Sequence, residues 1–216
     1  MRLVVLGAPG AGKGTQARNL AKHYGIAHIS TGDILREHMR KGTPIGASIK
    51  DMMDQGQYVP DELVIGIVRE RIEEEDCRKG YILDGFPRTL VQAEAFDSIS
   101  LSLKQPLDCA VTVDVSDQVI IERMSGRMVC PECGAMFHMV YYPSQRGETC
   151  DTCGAHLVQR EDDKAKTVEK RLKIYHERTE PIIAYYEEKN MLLHVNGVGE
   201  MEDITGAIVE RLEAKA

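Results

Sequence analysis

Short, uninterrupted apolar runs alternate along the chain with longer segments whose apolar residues recur at helical spacing. An unbroken apolar run is typical of a strand in a parallel sheet, because both faces of such a strand are buried. The amphipathic segments between the runs predict helices that cover the sheet. The hydrophobic pattern therefore predicts an α/β fold, a five-stranded parallel sheet flanked by helices.

The individual elements follow from this pattern and from the residues that begin them. Pro60 before Asp61, and Ser116 before Asp117, are typical helix starts. The predicted strands are residues 3–6, 27–29, 81–83, 109–113 and 192–195. The predicted helices begin at Lys13, Gly32, Asp61, Leu90, Asp117, Thr167 and Glu200.

Two stretches fall outside the alternation. Residues 30–59 insert helices before Asp61, and Thr43 followed by Pro44 is typical of a helix cap and a first helical position. Residues 126–163 are rich in turn residues and too small to fold through hydrophobic burial alone. We therefore expect a core of residues 1–29, 60–125 and 164–216, with a helical insertion at 30–59 and a small separate unit at 126–163.

A phosphate-binding loop is predicted directly after the first strand. Residues 7–15 read Gly-Ala-Pro-Gly-Ala-Gly-Lys-Gly-Thr, and a helical pattern follows from Gln16. In such a loop the backbone N–H groups and the helix N-terminus face an anion, Lys13 reaches the β and γ phosphates, and Thr15 offers its hydroxyl to Mg²⁺. Gly14 separates the lysine from the hydroxyl, which makes the motif a variant. A plain glycine-rich connector is the alternative, and the ordered strand, glycines, lysine, hydroxyl and helix disfavour it.

Four of the six cysteines form two matched pairs, Cys130-x2-Cys133 and Cys150-x2-Cys153. Two such turns can present four thiolates to a tetrahedral ion, for which Zn²⁺ is the default and iron an alternative. Redox-active pairs are a second alternative, disfavoured because redox sites rarely occur as two matched pairs. A bound metal would supply the stability that residues 126–163 lack.

The composition narrows the functional classes. The 216 residues are 43% hydrophobic and 28% charged, and no apolar run approaches a membrane span. The net charge of −7 disfavours a protein whose main task is to grip a nucleic acid. The strand pattern begins at Leu3, and six cysteines without an export signal argue against a disulfide framework. We therefore expect no signal peptide and a cytoplasmic location.

Three further motifs accompany the phosphate loop in order: Ser30-Thr31-Gly32-Asp33, then Asp84-Gly85-Phe86-Pro87-Arg88-Thr89, then Arg160-Glu161-Asp162-Asp163. Together they resemble the adenylate kinase family, in its long form with a metal-bearing lid, from Arg2 to the C-terminal helix. The resemblance implies a P-loop NTPase-like core, a nucleoside-monophosphate-binding insertion at 30–59 and a zinc-binding lid at 126–163. It further implies Mg²⁺-dependent, reversible phosphoryl transfer from ATP to AMP, and a monomer.

The resemblance also implies roles for individual residues. The implied catalytic cations are Lys13, Arg88, Arg123, Arg160 and Arg171. The implied ATP contacts are Gly10, Ala11, Gly12, Lys13, Gly14, Thr15, Arg127, Met136 and Phe137. The implied AMP contacts are Thr31, Arg36, Gln57, Tyr58, Val59, Gly85, Phe86, Pro87, Arg88, Gln92, Arg160 and Arg171. The implied metal ligands are Cys130, Cys133, Cys150 and Cys153 for zinc, and Asp84 for Mg²⁺ through water.

These residue types suit the chemistry. Phosphoryl transfer needs alignment and neutralisation of negative charge, and the arginine fork binds phosphate oxygens in pairs. Arg123 and Arg127 are expected at one helix end, four residues apart, where both can face one ligand. The Gln92 amide offers a donor and an acceptor to an adenine edge. Asp162 and Asp163 either orient neighbours or cap a helix.

Several alternatives remain at this point. A sibling enzyme would use UMP or CMP as acceptor, or GTP as donor. The cysteine segment alone is also typical of a zinc-ribbon protein that binds nucleic acid, although the acidic charge and the few aromatic residues there disfavour it. A nucleotide switch shares the phosphate loop, but the sequence has no Asn-Lys-x-Asp motif.

Overall fold

The computed structural model describes residues 1–215, which form a parallel five-stranded sheet in the order β2-β3-β1-β4-β7, with helices packed on both faces. The sheet strands are β1 (Arg2–Leu6), β2 (Ala27–Ser30), β3 (Tyr81–Asp84), β4 (Cys109–Asp114) and β7 (Leu192–Asn196). The helices are α1 (Lys13–Tyr24), α2 (Thr31–Arg40), α3 (Pro44–Asp54), α4 (Asp61–Ile72), α5 (Leu90–Ser102), α6 (Asp117–Ser125), α7 (Ala165–Ile174), α8 (Pro181–Glu188) and α9 (Met201–Glu213). The predicted fold class is confirmed.

The core lies on both faces of the sheet, as the apolar runs predict. Val4 and Leu6 of β1 pack into one buried cluster, while Leu3 and Val5 pack into another. Because successive side chains of a strand point to opposite faces, an unbroken apolar run satisfies both clusters at once.

The carboxyl ends of three strands meet at one edge of the sheet. In the register of the sheet, Asp84 of β3 lies beside Val5 of β1 and beside Ser30 of β2. β1 lies between β3 and β4, and the strand order reverses at this position. The loop after β1 therefore begins at the point of reversal. Crevices at such a point are the usual ligand sites of α/β sheets.

The helical insertion at residues 30–59 is held by specific caps. Ser30 accepts a hydrogen bond from the Asp33 N–H at 3.3 Å, and Thr43 accepts one from the Gly46 N–H at 3.1 Å. Pro44 is the first residue of α3, as the sequence predicts. A Cβ at Gly46 would lie 2.1 Å from the carbonyl oxygen of His38, so this glycine lets α3 pack closely on α2.

The unit at residues 126–163, called the cysteine unit below, contains a short antiparallel hairpin of β5 (Arg127–Val129) and β6 (Met136–His138). Sequence reasoning did not predict these strands because each has only three residues, too few to show a period. Phe137 and Leu157 form a small buried cluster with Cys130 and Cys150.

The C-terminal half of the chain differs from the prediction in one respect. The helix predicted from Thr167 begins at Ala165, runs through a π-helical turn at Tyr175–Thr179 and continues as α8 from Pro181. Proline is accepted at the start of a helix because the N–H that it lacks has no partner there.

Within residues 1–215, none of the helices combines the length and the apolar character needed to cross a membrane.

Two exposed histidines each lie between two carboxylates from different parts of the chain. His176 lies between Glu180 and Asp117, with ring-nitrogen to carboxylate distances of 2.8 and 3.0 Å. His194 lies between Asp114 and Glu187 at 2.9 and 2.8 Å. Hydrogen bonds to the paired carboxylates raise the pKa of both histidines above the usual 6.5.

We therefore expect a pH-dependent contribution of these histidines to stability. A raised pKa in the folded state stabilises the fold below pH 6.5, and the effect disappears as the pH rises through the raised pKa. The difference in free energy of unfolding between the wild type and a His176→Gln, His194→Gln double variant should be largest near about pH 6 and small by about pH 9. Urea denaturation measures it. His23→Gln, an exposed histidine 3.8 Å from Glu213, is the control; a difference that does not change with pH would contradict the expectation.

Candidate phosphoryl-transfer site

The phosphate loop adopts a conformation that its glycines make available. Gly7 has φ of 134° and a Cβ there would lie 2.6 Å from the Val113 carbonyl oxygen, while Gly12 has φ of 96° immediately before α1. Both φ angles lie in the region that favours glycine. The loop therefore delivers the N-terminus of α1 to the sheet edge, where it can face an anion.

Lys13 lies inside the loop with its ammonium group turned back on the chain. Its Nζ donates to the Ala8 carbonyl oxygen at 2.7 Å. Burial lowers the pKa of Lys13 to about 7, with Asp84 opposing the shift and Arg88 adding to it. A phosphate anion in the loop would favour the charged form of this lysine.

Asp84 explains why the motif carries a glycine directly after its lysine. A Cβ at Gly14 would lie 3.0 Å from Asp84 Oδ2, so a larger residue would press on the carboxylate. Burial alone would raise the pKa of Asp84, but the nearby His28 ring and the Lys13 ammonium outweigh burial and lower it. An ionised carboxylate thus lies beside the loop, as a hard ligand for Mg²⁺ requires.

Two clefts meet beside the phosphate loop. The first lies between the helical insertion and the sheet edge and has a volume of about 550 Å³, and the second lies beside Lys13 and has a volume of about 440 Å³; both volumes include space that is open to solvent. The two clefts share four lining residues, which are Tyr58, Gly85, Arg88 and Arg171. Two ligands lying end to end in these clefts would thus both meet Arg88 and Arg171.

Carboxylates hold the arginines around this meeting point. Arg127 binds Asp163 through both Nε, at 2.7 Å, and Nη2. Arg171 Nη1 donates to Asp162 Oδ2 at 2.7 Å and approaches Asp163 at 3.4 Å. Asp162 and Asp163 therefore orient arginines, which agrees with the first of the two roles considered for them; the cap of α7 is Lys164.

The insertion adds a further pair. Arg36 binds Asp33 at 2.6 Å, and Arg160, from the base of the cysteine unit, lies 3.9 Å from the same carboxylate. Burial and the charges of Arg36 and Arg127 lower the pKa of Arg160 to about 10. A phosphate bound beside Arg160 would oppose both effects, because an opposite charge favours the charged guanidinium.

Arg88 is held on several sides. Its Nε donates to the Gly85 carbonyl oxygen at 2.7 Å, and its own carbonyl oxygen accepts a hydrogen bond from the Thr179 hydroxyl at 2.9 Å. The Tyr58 hydroxyl lies 2.7 Å from the Thr179 hydroxyl, and the Arg88 guanidinium lies 5.4 Å from the centre of the Tyr58 ring. The π-helical turn that ends at Thr179 thus helps to fix this arginine.

The far end of the first cleft can accept a flat, mostly apolar group. Leu35, Val59 and Val64 are buried there. Thr31 and Gln92 supply polar atoms beside them, and Gln92 is only 1% exposed. Apolar walls with a few fixed polar groups are typical of a site for a nucleobase.

Arg123 and Arg127 do not share the local structure that the sequence predicts for them. The expectation that Arg123 and Arg127 share a helix end is wrong, because α6 ends at Ser125 and Arg127 begins β5. Arg123 instead donates to the carbonyl oxygens of Ala11 and Gly197 at 3.4 and 2.9 Å. Gly126 breaks the helix and separates the two arginines.

The structure limits how three other predicted nucleotide contacts could form. The Phe86 ring is 1% exposed and packs edge to face on Phe96, so only its backbone can meet a nucleotide. Pro87 lines the second cleft, although it was predicted for AMP. The Phe137 ring is buried inside the cysteine unit and cannot lie on an adenine. Met136 lies near the phosphate loop, with its Cε 3.7 Å from a Cβ built on Gly14.

Sequence reasoning missed Thr179 and Asp33, and it assigned only a backbone role to Tyr58. Thr179 lies 91 positions after Arg88, and no local pattern indicates that contact. Asp33 stood within a quoted motif and three residues before Arg36, a spacing that could have indicated the pair.

The four paired cysteines converge as a metal site requires. The sulfur atoms of Cys130, Cys133, Cys150 and Cys153 all lie within 4.8 Å of one another. The closest pairs are Cys130 with Cys153 at 3.3 Å and Cys133 with Cys150 at 3.6 Å. Tetrahedral zinc with Zn–S bonds of about 2.3 Å separates its sulfurs by about 3.8 Å, so the residues fit the ion.

The chain is similar to known proteins over all the residues of the site. A family model described as adenylate kinase matches residues 5–191. The adenylate kinase of Caldicellulosiruptor bescii is 52% identical over 98% of this chain and 99% of its own length. That of Thermodesulfovibrio yellowstonii is 49% identical over 100% of both chains, and that of Archaeoglobus fulgidus 47% identical over 99% and 100%. The similarity thus includes both clefts and the cysteine unit.

Proposed function

This chain belongs to the adenylate kinase family and is an enzyme that transfers a phosphoryl group reversibly between ATP and AMP, and we propose that it does so where its two clefts meet. The observation that carries the proposal is the shared lining: Arg88 and Arg171 belong to both clefts, and only one of the clefts contains the phosphate loop. ATP takes the loop and AMP takes the cleft beside the helical insertion.

The reaction moves one phosphoryl group in line. An oxygen of the AMP phosphate forms a bond to the γ phosphorus of ATP, and the bond from that phosphorus to the β–γ bridging oxygen breaks, which leaves two ADP. No general base is required because the attacking oxygen is already an anion near neutral pH. The protein therefore has to overcome repulsion between two anions.

Lys13 and the arginines meet this requirement. Lys13 leaves the Ala8 carbonyl for the β and γ phosphates, and Arg88 and Arg171 bind both the group that moves and its acceptor. Arg36 and Arg160 bind the AMP phosphate, and Arg127 binds ATP. Mg²⁺, when bound with ATP, withdraws negative charge from its phosphates. Thr15 and Asp84 are the oxygen ligands that fit it.

Closure of the helical insertion and the cysteine unit over the clefts excludes water, which would otherwise accept the phosphoryl group. Residues 30–59 and 126–163 are accordingly the mobile parts, and the remainder is the core. The contact of Arg160 with Asp33 joins the two mobile parts and supports their acting together.

The acceptor is AMP rather than UMP or CMP, which agrees with the curated names of the relatives. Thr31 and Gln92 at the base end of the first cleft support a purine there. The four-sulfur cluster would also suit a zinc ribbon that binds nucleic acid, but similarity to adenylate kinases over the whole chain favours a lid.

The metal of the cysteine unit is structural zinc. Four sulfur ligands fill a tetrahedral ion and leave no position for water or substrate. We further propose a monomer in the cytoplasm. Both clefts are built from one chain. Cys77 and Cys109, the two buried cysteines outside the proposed zinc site, form no disulfide among residues 1–215, which agrees with a reducing compartment.

Loss of the phosphate-binding cations should abolish turnover. Lys13→Met and Arg88→Ala should each lower kcat by about 10²- to 10³-fold, because each removes charge stabilisation from the transition state. ADP formation from ATP, Mg²⁺ and AMP in a coupled assay measures this. Arg78→Ala, which changes an exposed arginine that lines neither cleft, should keep wild-type activity. Full activity in both site variants would overturn the assignment.

Loss of the Tyr58 or Thr179 hydroxyl should lower activity less than loss of Arg88 itself. Tyr58→Phe and Thr179→Val each remove one hydroxyl from the hydrogen bonds that hold Arg88, and we expect kcat/KM for AMP to fall about fivefold. Tyr185→Phe removes a similar bond, to Asp97 at 2.7 Å, outside the clefts. Equal losses in all three variants would contradict a specific role.

A strong chelator should loosen the cysteine unit before the rest of the chain. Metal analysis should find about one zinc per chain, since structural zinc contributes about 10–16 kcal/mol to such units. After chelation, limited proteolysis followed by mass spectrometry should cut first within residues 126–163. Cys133→Ser should reproduce this pattern and Cys77→Ala should not. Unchanged protease resistance of the unit would refute the proposal.

A further inference from the structure

Gln92 is one of the few polar side chains at the base end of the first cleft. It lies at the buried end of that cleft, near Thr31 and the apolar side chains of Val59 and Val64. The inference that follows rests on the proposed function, because it assumes that a purine monophosphate lies in this cleft.

A carboxamide alone does not discriminate between purines. A 6-aminopurine presents a donor at C6 and an acceptor at N1, whereas a 6-oxopurine presents an acceptor at C6 and a donor at N1. A side-chain amide carries a donor and an acceptor of similar size, and rotation by about 180° exchanges them. A free amide therefore pairs with either base after a flip.

The amide of Gln92 is not free. Its Oε1 accepts a hydrogen bond from the Arg88 backbone N–H at 2.7 Å, and its Nε2 donates to Asp61 Oδ1 at 2.7 Å. A backbone N–H can only donate and an ionised carboxylate can only accept. A flipped amide would therefore place two donors face to face and an oxygen against an anion.

We propose that Asp61 is a specificity-determining positioning residue, which locks the Gln92 amide in the orientation that reads a 6-aminopurine and rejects a 6-oxopurine. The amide still has one free hydrogen-bond donor, the second N–H of Nε2, and one free acceptor, the second lone pair of Oε1. Fixed in position, this donor and this acceptor match only one of the two purine edges. Asp61 acts through Gln92 and does not touch the substrate.

A second polar group in the cleft agrees with this preference. The Thr31 hydroxyl donates to the Gly85 carbonyl oxygen at 2.9 Å, so the lone pairs of its oxygen remain for an incoming donor. An exocyclic amino group supplies such a donor, and a 6-oxo group does not.

The competing explanation is that Asp61 only stabilises α4. It lies in the first turn of that helix, where a negative charge is favourable. Glu62 occupies the same turn and is exposed, so it shares that helix role without contacting Gln92. Glu62→Gln is therefore a matched control for the loss of one charge at this helix end.

The test compares AMP with IMP, its 6-oxo counterpart, as phosphoryl acceptor. The wild type, Asp61→Asn and Glu62→Gln are each assayed with ATP and Mg²⁺, and the ratio of kcat/KM for AMP to that for IMP is the readout. We expect this ratio to fall about tenfold in Asp61→Asn, because a charged acceptor is lost, and to stay unchanged in Glu62→Gln. Asp61→Ala, which offers no acceptor, should lower the ratio at least as far, and Asp61→Glu should restore part of it.

The outcomes separate this inference from the proposed function. A wild type that does not phosphorylate AMP contradicts the proposed function itself. A wild type that prefers AMP, with the same ratio in Asp61→Asn and Asp61→Ala, overturns the role of Asp61 alone, and equal losses with both acceptors would show a merely structural residue. Since the ratio is measured on one preparation, a partly unfolded variant does not change it.

Discussion

Repulsion between buried cations is the constraint on which this structure depends. Two like charges about 5 Å apart repel by about 3 kcal/mol at the effective dielectric of a protein interior. Around the meeting point of the clefts the chain gathers Lys13, Arg36, Arg88, Arg127, Arg160 and Arg171. Burial, and to a smaller extent the neighbouring cations, lower the pKa values of Lys13 and Arg160. Bound phosphates would neutralise these cations, and without phosphates other negatively charged groups must do so.

Carboxylates are those groups, and two of them lie at the base of the cysteine unit. Asp163 and Asp162 lie at the base of the cysteine unit and hold Arg127 and Arg171. Burial would raise the pKa of Asp162, but the surrounding arginines lower it, so the carboxylate keeps its charge. Because an incoming phosphate would compete with these carboxylates for the same guanidinium groups, nucleotide binding would change the ion pairs that Asp162 and Asp163 make at the base of the cysteine unit.

Sequence patterns predicted well those features whose cause is local. The apolar run before Gly7 and the Thr43-Pro44 start of α3 each depend on neighbours in the chain, and the structure has both. Contacts between distant segments left no pattern to detect. The hydrogen bond from Thr179 to Arg88 requires a π-helical turn, and the position of Arg127 depends on where Gly126 ends α6. Long-range geometry of this kind follows from packing, which periodicity does not reveal.

Arg88 connects the two ends of the first cleft. The backbone N–H of Arg88 donates to the Gln92 amide at the base end, while the guanidinium of the same residue lines the phosphate end. A base that displaces the Gln92 amide therefore disturbs the residue that aligns the phosphates, and a well-matched base leaves it undisturbed. Misalignment of a reacting group by about 1 Å can cost about 10²-fold in rate. Under the roles proposed for these residues, selection of the acceptor and alignment for transfer are two effects of one short chain of hydrogen bonds from Asp61 through Gln92 to Arg88.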